Sequence, residues 1–242
     1  LAKMVPTAIS SLMGTVVGVF NPQITIAYAE DNTENLVKII KSCNRILIFI
    51  MSIPIAFLTA YGRDFYAMWQ PTKDADMLQR LSLLAVGVLY VSMSIQVLYH
   101  VFIITKKVKW NSLVILGSGV LSSCLSLLLL KTTDLGVMVF PLSSMLTGLL
   151  RNLIFTPIYA ARCLKIRWNR FYGDILLGWI SIGSIVILGN LSRMVFPVDS
   201  WVKLILTGVV MGPLALALNF LIILRKEERE MVIGMLKSRL KG

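Results

Sequence analysis

Residues 111–130 read NSLVILGSGVLSSCLSLLLL, an uninterrupted run without a charged side chain. A helix of about 20 apolar residues crosses the hydrocarbon core of a bilayer, because each residue adds about 1.5 Å along the helix axis. A helix of this length on the surface of a soluble protein carries polar and charged residues on the face that meets water. The run therefore predicts a transmembrane helix, and with it a membrane protein.

The rest of the chain repeats this pattern. It has 242 residues, of which 57% are hydrophobic and 15% are charged, whereas about one-quarter of a soluble domain is charged. No barrel-type alternation of apolar and polar residues recurs, so helices are the spanning element. The sequence predicts an all-α, polytopic integral membrane protein with about seven transmembrane helices. The predicted spans are residues 4–28, 46–67, 81–105, 111–130, 137–160, 171–191 and 201–224.

The basic residues indicate how the chain lies in the membrane. The net charge is +12, which in a soluble protein would indicate nucleic acid binding. Here Lys and Arg lie in short clusters between apolar runs, so we expect contacts with anionic membrane lipids and no nucleic acid partner. They are most frequent around residues 38–45, 106–109, 162–170 and 225–242. The positive-inside rule predicts that these segments are cytoplasmic, so that residues 225–242 form a cytoplasmic basic tail.

The connection before the second span has two interpretations. Asp31 and Glu34 have the spacing of a capping box with Asp in the cap position. Apolar residues at helical spacing follow, with basic residues on the other faces. One interpretation is an amphipathic helix on the membrane surface near residues 31–44. The other is a plain extension of the next span.

Prolines occur within several predicted spans. Proline has no backbone N–H, so it leaves the carbonyl group four residues earlier without its helical partner. Membrane helices tolerate this when neighbouring helices satisfy the carbonyl group, and proline is common in membrane helices, so these prolines indicate little by themselves. Two glycine pairs, Gly14–Gly18 and Gly208–Gly212, predict close helix packing within the bundle. The prolines are Pro22, Pro54, Pro141, Pro157 and Pro213.

Arg151 is a charged residue in the interior of a predicted span, away from both of its ends. An Arg near the centre of a membrane helix costs about 2.5–3.5 kcal/mol on insertion scales. One interpretation is an Arg that extends toward the membrane surface or pairs with a backbone carbonyl. The other is a cation on the wall of a polar cavity that binds an anionic ligand such as a diphosphate.

Polar residues recur every four positions on three consecutive spans, and residues four apart share a helix face. Three polar faces would together line a wet interior, although hydrogen bonds between helices would also explain them. The bulk of the amide and guanidinium groups favours a cavity, with Arg151, Asn152, Gln96 and Thr147 as predicted substrate-binding residues. The repeated positions are Ser92–Gln96–His100, Ser118–Ser122–Ser126 and Ser143–Thr147–Arg151.

Signs of catalysis or metal binding are absent from the sequence. Every Asp and Glu falls in a connection or near a helix end, and Cys43, Cys124 and Cys163 form no CxxC pair. His100 has no acid or nucleophile at a useful spacing, and there is no phosphate-binding glycine loop. We therefore expect no catalytic residue, no metal site, no cofactor and no enzymatic activity.

Several short motifs resemble those of polysaccharide flippases. These are the O-antigen and exopolysaccharide exporters of the multidrug/oligosaccharidyl-lipid/polysaccharide (MATE-like) superfamily. The motifs are Val19-Phe20-Asn21-Pro22, Ala27-Tyr28-Ala29, Arg45 at the start of a span, Ser52-Ile53-Pro54, and residues 65–69 at the outer end of that span.

The resemblance implies a division of the chain and a function. Members have about fourteen helices, and the chain aligns with helices 8–14 of such a transporter, its C-terminal half. Residues 1–160 would be a second-lobe bundle of about five helices, and residues 161–224 two additional C-terminal helices. The implied partners are a lipid-linked oligosaccharide and the N-terminal half of the transporter.

The implied activity is to flip an undecaprenyl-diphosphate-linked oligosaccharide across the bacterial inner membrane by alternating access, for lipopolysaccharide O-antigen or another polysaccharide. Two alternatives stay open. One is a multidrug exporter of the same superfamily. The other is a membrane-embedded polysaccharide polymerase, although such enzymes usually carry a larger outer loop than the connection near residues 68–80.

Overall fold

The computed structural model describes residues 1–224 and Arg229, and this part of the chain is helical without a strand. The predicted basic tail, residues 225–242, lies outside the described residues except for Arg229. Seven helical segments in the described part are long and apolar enough to cross a membrane, and two of these, Ala75–Ser92 and Gly136–Cys163, each comprise more than one of the helices given below. The all-α, polytopic prediction is therefore confirmed.

The helices follow one another along the chain with short connections. Predicted and observed spans agree closely for the first, fourth, sixth and seventh. The helices are α1 (Met4–Ala29), α2 (Thr33–Trp69), α3 (Ala75–Gly87), α4 (Leu89–Ser92), α5 (Leu98–Ile104), α6 (Val108–Thr132), α7 (Val139–Leu150), α8 (Thr156–Cys163), α9 (Tyr172–Val195) and α10 (Trp201–Ile222), with a 3₁₀ turn at Gly136–Met138 and a π-helical turn at Arg151–Phe155.

Helix α2 extends well beyond the predicted second span. Its 37 residues correspond to about 56 Å, against about 30 Å for the hydrocarbon core. It begins after Asn32, whose side chain accepts a hydrogen bond from the backbone N–H of Asn35 at 3.0 Å, so Asn32 and not Asp31 is the cap. No glycine or proline interrupts residues 33–53, and Leu36 and Ile40 are buried in the bundle. The structure thus has an extension of the span in place of a separate surface helix near residues 31–44.

The third predicted span, residues 81–105, is not one continuous helix. Residues 93–97 form turns with 3₁₀-type hydrogen bonds, from Ser94 N to Val91 O at 3.0 Å and from Leu98 N to Ile95 O at 2.8 Å. No proline causes this break. The side chains of residues 93–95, 97 and 98 are completely buried. We infer that packing against the surrounding helices stabilises the non-helical backbone conformation of this segment. Non-helical backbone at membrane depth is tolerated when it is buried in protein.

Helices α2 and α9 form the centre of the bundle and approach closely near Gly189. A Cβ atom on Gly189 would lie 2.9 Å from the Cβ atom of Ala60. The hydroxyl of Tyr61 donates to the carbonyl oxygen of Gly189 at 3.0 Å. Near the same end, Arg193 donates to Asp64 at 3.2 Å and to the Ala60 carbonyl at 3.0 Å. Glycine therefore sets the distance between the two central helices.

Asn219 joins α10 to these two helices. It is fully buried, and its amide nitrogen donates to Ser52 Oγ at 2.7 Å and to the Phe49 carbonyl at 3.0 Å. Its amide oxygen accepts from Ser181 Oγ at 2.6 Å. A buried amide with these partners is satisfied, and it fixes the position of α10 along α2 and α9.

Helices α1 and α6 lie at the edge of the bundle. Only Asn111 and Ser126 of α6 are buried. A Cβ atom on Gly14 or Gly18 would contact nothing within 4 Å. The prediction that this glycine pair packs within the bundle is therefore wrong for the described residues, because no other described helix covers that face of α1.

The close approach at Gly189 yields a prediction. We expect Gly189→Ala to destabilise the protein by about 1–3 kcal/mol, because the added methyl group meets the Cβ atom of Ala60, which moves only with its helix. Gly183→Ala on the same helix is the matched control, since its methyl group would have open space and its effect should stay within about 1 kcal/mol. Thermal unfolding in detergent measures both. Equal stability of the two variants would contradict this packing.

Candidate functional site

A small polar cavity lies beside Arg151, in the fifth span. It has a volume of ≈ 330 Å³. Two predicted site residues, Arg151 and Gln96, line it, so the structure brings them together although they are distant in sequence. The cavity is lined by Ser10, Met13, Val88, Leu89, Ser92, Gln96, Tyr99, Ile115 and Arg151.

Asn152 lies behind this wall and organises it. Its side chain is almost completely buried. The amide nitrogen donates to Ser92 Oγ at 2.8 Å, and the amide oxygen accepts from the Tyr99 hydroxyl at 2.9 Å and from Arg151 Nε at 3.3 Å. Asn152 therefore positions three lining residues and is not itself among the lining residues.

The two terminal nitrogens of the Arg151 guanidinium have no hydrogen-bond partner among the described residues. Only Nε has a protein partner, and among the described residues no carboxylate lies within ion-pair distance of Arg151. Arg presents its donors in a planar fork that fits phosphate or carboxylate oxygens in pairs. A partly buried cation with this geometry is suited to bind an anionic group.

Arg151 and Asn152 are the first two residues of the π-helical turn Arg151–Phe155. Pro157, which follows it, has no N–H to donate to the carbonyl of Leu153 four residues earlier. The Tyr172 hydroxyl, at the start of α9, donates to that carbonyl oxygen at 2.7 Å. This is the contact expected for a proline within a span, supplied here by a neighbouring helix. π-helical turns are frequent at functional sites.

Thr147 does not share the cavity. It is buried, and its hydroxyl donates to the Ser143 carbonyl at 2.9 Å within its own helix. Ser143 likewise donates to the Val139 carbonyl at 2.9 Å. These bonds within the helix satisfy both hydroxyl groups. No residue of α7 is among the lining residues of the cavity.

His100 also lies outside the lining. Its Nε2 atom is 2.9 Å from the hydroxyl oxygen of Thr25 on α1. The three polar residues predicted to share one face of the third span therefore do not lie together. Ser92 and Gln96 line the cavity, and His100 joins α5 to α1, because the turns at residues 93–97 change the helical register between them.

Sequence reasoning missed two tyrosines of the site. Tyr99 lies seven positions after Ser92, which is two helical turns, so extending the polar stripe by that spacing would have included it. Tyr172 had a weaker signal. A proline in a span requires a donor from a neighbour, yet nothing in the sequence identifies which helix supplies it.

Comparison with known proteins supports the membrane assignment. No family model matches the chain, and no solved structure matches it. The chain is 26% identical over 235 residues to EpsK of Bacillus subtilis (strain 168), described as an uncharacterized membrane protein. The match covers 94% of this chain and 45% of EpsK. The chain is a multi-pass membrane protein. It spans about half the length of this relative.

The contact between Tyr172 and Leu153 can be tested by a double-mutant cycle. We expect Tyr172→Phe to lower the free energy of unfolding by about 1 kcal/mol, because the Leu153 carbonyl loses its donor. Pro157→Ala restores an N–H that can reach the same carbonyl, so in that background Tyr172→Phe should have little effect.

Thermal unfolding of the four proteins of the cycle measures this coupling. Tyr28→Phe serves as a control, since Tyr28 is exposed on α1. An equal loss from Tyr172→Phe in both backgrounds would show that the hydroxyl does not replace the missing N–H.

Proposed function

We propose that this chain is part of a transporter that moves a lipid-linked oligosaccharide across the membrane, with Arg151 binding the diphosphate of the lipid carrier. The observation that carries the proposal is Arg151 on a cavity wall, where its two terminal nitrogens have no hydrogen-bond partner among the described residues. In a broad sense, the helical fold and the similarity to a membrane protein fit a polysaccharide transporter. Membership of the MATE-like superfamily rests on the motif resemblance.

The chemistry of the cavity suits such a substrate. Arg151 supplies forked donors for phosphate oxygens. Gln96, Ser10 and Tyr99 supply amide and hydroxyl groups, which exchange hydrogen bonds with sugar hydroxyls as water does. No carboxylate belongs to the lining, so the charge of the wall favours an anionic substrate over the cationic compounds that many multidrug exporters carry.

The cavity would be completed by another half of the transporter. Its volume of ≈ 330 Å³ is at the low end of the range for small-molecule pockets, which is little space for an oligosaccharide. The relative is about twice as long as this chain, and the face of α1 that carries Gly14 and Gly18 has room for another helix. We propose that an N-terminal half packs there and that rocking of the two halves exposes the cavity to each side in turn.

The proposed location is the bacterial inner membrane. The end that carries the α1–α2 turn, the α5–α6 connection and the α8–α9 connection would face the cytoplasm, because the basic residues are concentrated there. Substrate would enter the cavity from this side. The C-terminus would also be cytoplasmic.

Variants of Arg151 in the intact transporter, with both halves present, test the proposal in a strain that lacks its own flippase. Export of surface polysaccharide should be lost in Arg151→Leu, because the leucine cannot bind phosphate. Arg151→Lys should retain part of it, since the charge stays and the planar fork is lost. Lys131→Leu, at the far end of α6, is a charge-matched control and should export normally. Abundance in the membrane is checked by blotting.

Asn152→Asp tests the same site with the side-chain shape unchanged. A carboxylate in this position lies next to Arg151 and should neutralise it, so export should fall at least tenfold although the protein accumulates. An abundant Arg151→Leu or Asn152→Asp variant that exports at the normal rate would exclude Arg151 as a substrate contact.

A further inference from the structure

Two helices end side by side on the surface that carries most of the basic residues. Helix α5 ends at Ile104 and α8 ends at Cys163. Near these ends the rings of Phe102 and Tyr159 lie 5.2 Å apart, and the Tyr159 hydroxyl donates to the Lys107 carbonyl at 3.1 Å. The two C-termini therefore form one continuous surface.

Two residues beyond the end of each helix, a lysine lies in the left-handed backbone region. Lys106 has φ 56° and Lys165 has φ 55°. After each lysine the chain closes back on its helix, with hydrogen bonds from Lys107 N to Phe102 O and from Ile166 N to Ala161 O, both at 2.9 Å. This is the Schellman ending, in which glycine normally takes the left-handed position. A residue with a Cβ atom is strained there, and this chain has lysine at both sites.

The surface around these lysines is basic and has few acids. No Asp or Glu occurs in residues 77–133 or 135–173. Asp31 lines a neighbouring recess with Lys165, and Asp174 is buried behind the surface. The exposed basic residues of the two connections and the adjoining helix ends are Lys106, Lys107, Lys109, Arg162, Lys165, Arg167 and Arg170.

Two tryptophans place this basic surface at the level of lipid head groups. Trp110 and Trp168 follow the two helix ends, and each is 61% exposed. Tryptophan is enriched at the boundary between hydrocarbon and water, where its ring is apolar and its N–H is solvated. Transmembrane helices end at the same level, so we expect a ligand of this surface to be a component of the membrane.

We propose that Lys106 and Lys165, at the paired ends of α5 and α8, bind the phosphate of an anionic phospholipid. The left-handed lysines place two cationic residues next to helix ends whose carbonyl groups would otherwise repel an anion. The surrounding Lys and Arg residues add attraction for the same head group. The proposal concerns the membrane lipid itself and stands whether or not the chain transports an oligosaccharide.

Glycine separates the charge of these lysines from their backbone role. In Lys106→Gly with Lys165→Gly, the left-handed endings remain favourable, so thermal stability in detergent without lipid should be unchanged or higher. Binding of phosphatidylglycerol should weaken about fivefold for each lysine and about thirtyfold for both. Titration of the full-length protein with phosphatidylglycerol, followed by native mass spectrometry, measures the dissociation constants.

Three control measurements accompany this titration. Lys106→Arg with Lys165→Arg should keep phosphatidylglycerol binding, because both charges remain. Lys73→Ala with Lys131→Ala removes two charges from the other surface and should leave binding unchanged. Phosphatidylcholine and inorganic phosphate should bind the unaltered protein much more weakly than phosphatidylglycerol.

Several outcomes would overturn the proposal. Unchanged phosphatidylglycerol binding in the double glycine variant would show that the two lysines are not the site. Equal binding of inorganic phosphate would show a site for free anions. A double glycine variant that unfolds at lower temperature and still binds phosphatidylglycerol would show that the lysines only stabilise the helix ends.

Discussion

The carbonyl group of Leu153 sets a constraint on which the candidate site depends. Pro157 deprives it of its helical partner, and a bilayer offers no water in its place. The Tyr172 hydroxyl donates to it at 2.7 Å, which fixes the start of α9 against the fifth span. The π-helical turn Arg151–Phe155 includes Leu153. In the same turn, Asn152 is bonded to Ser92 and Tyr99, and Arg151 lies on the wall of the polar cavity.

The site lies where two irregular segments meet. One is the turn at residues 93–97, and the other is the π-helical turn Arg151–Phe155. Asn152, in the π-helical turn, bonds to Ser92 and Tyr99, which flank residues 93–97. Irregular backbone at membrane depth is stable only when protein buries it or when it lines a polar cavity. Here both conditions apply, and this location accounts for a charged residue within a span at an acceptable cost.

The sequence was sufficient for the features that depend on local composition. Bilayer thickness acts on each span separately, so apolar runs predicted the helices, and the cost of a buried charge identified Arg151. Features that depend on neighbouring helices were not predictable in this way. They include the break in the third span, which has no proline, and the donor role of Tyr172. Asn152 was predicted as a substrate contact, and the structure places it behind the cavity wall, where its amide oxygen accepts a hydrogen bond from Arg151.

The central claim is that the cavity beside Arg151 is polar and open to water in the membrane. Reaction of Gln96→Cys with a charged, membrane-impermeant thiol reagent tests it most directly, in a background with the native cysteines replaced by serine. Leu116→Cys is the comparison, because Leu116 is 67% exposed on α6 but would face lipid. The account predicts rapid labelling at residue 96 and slow labelling at residue 116. Equally slow labelling at both positions would contradict it.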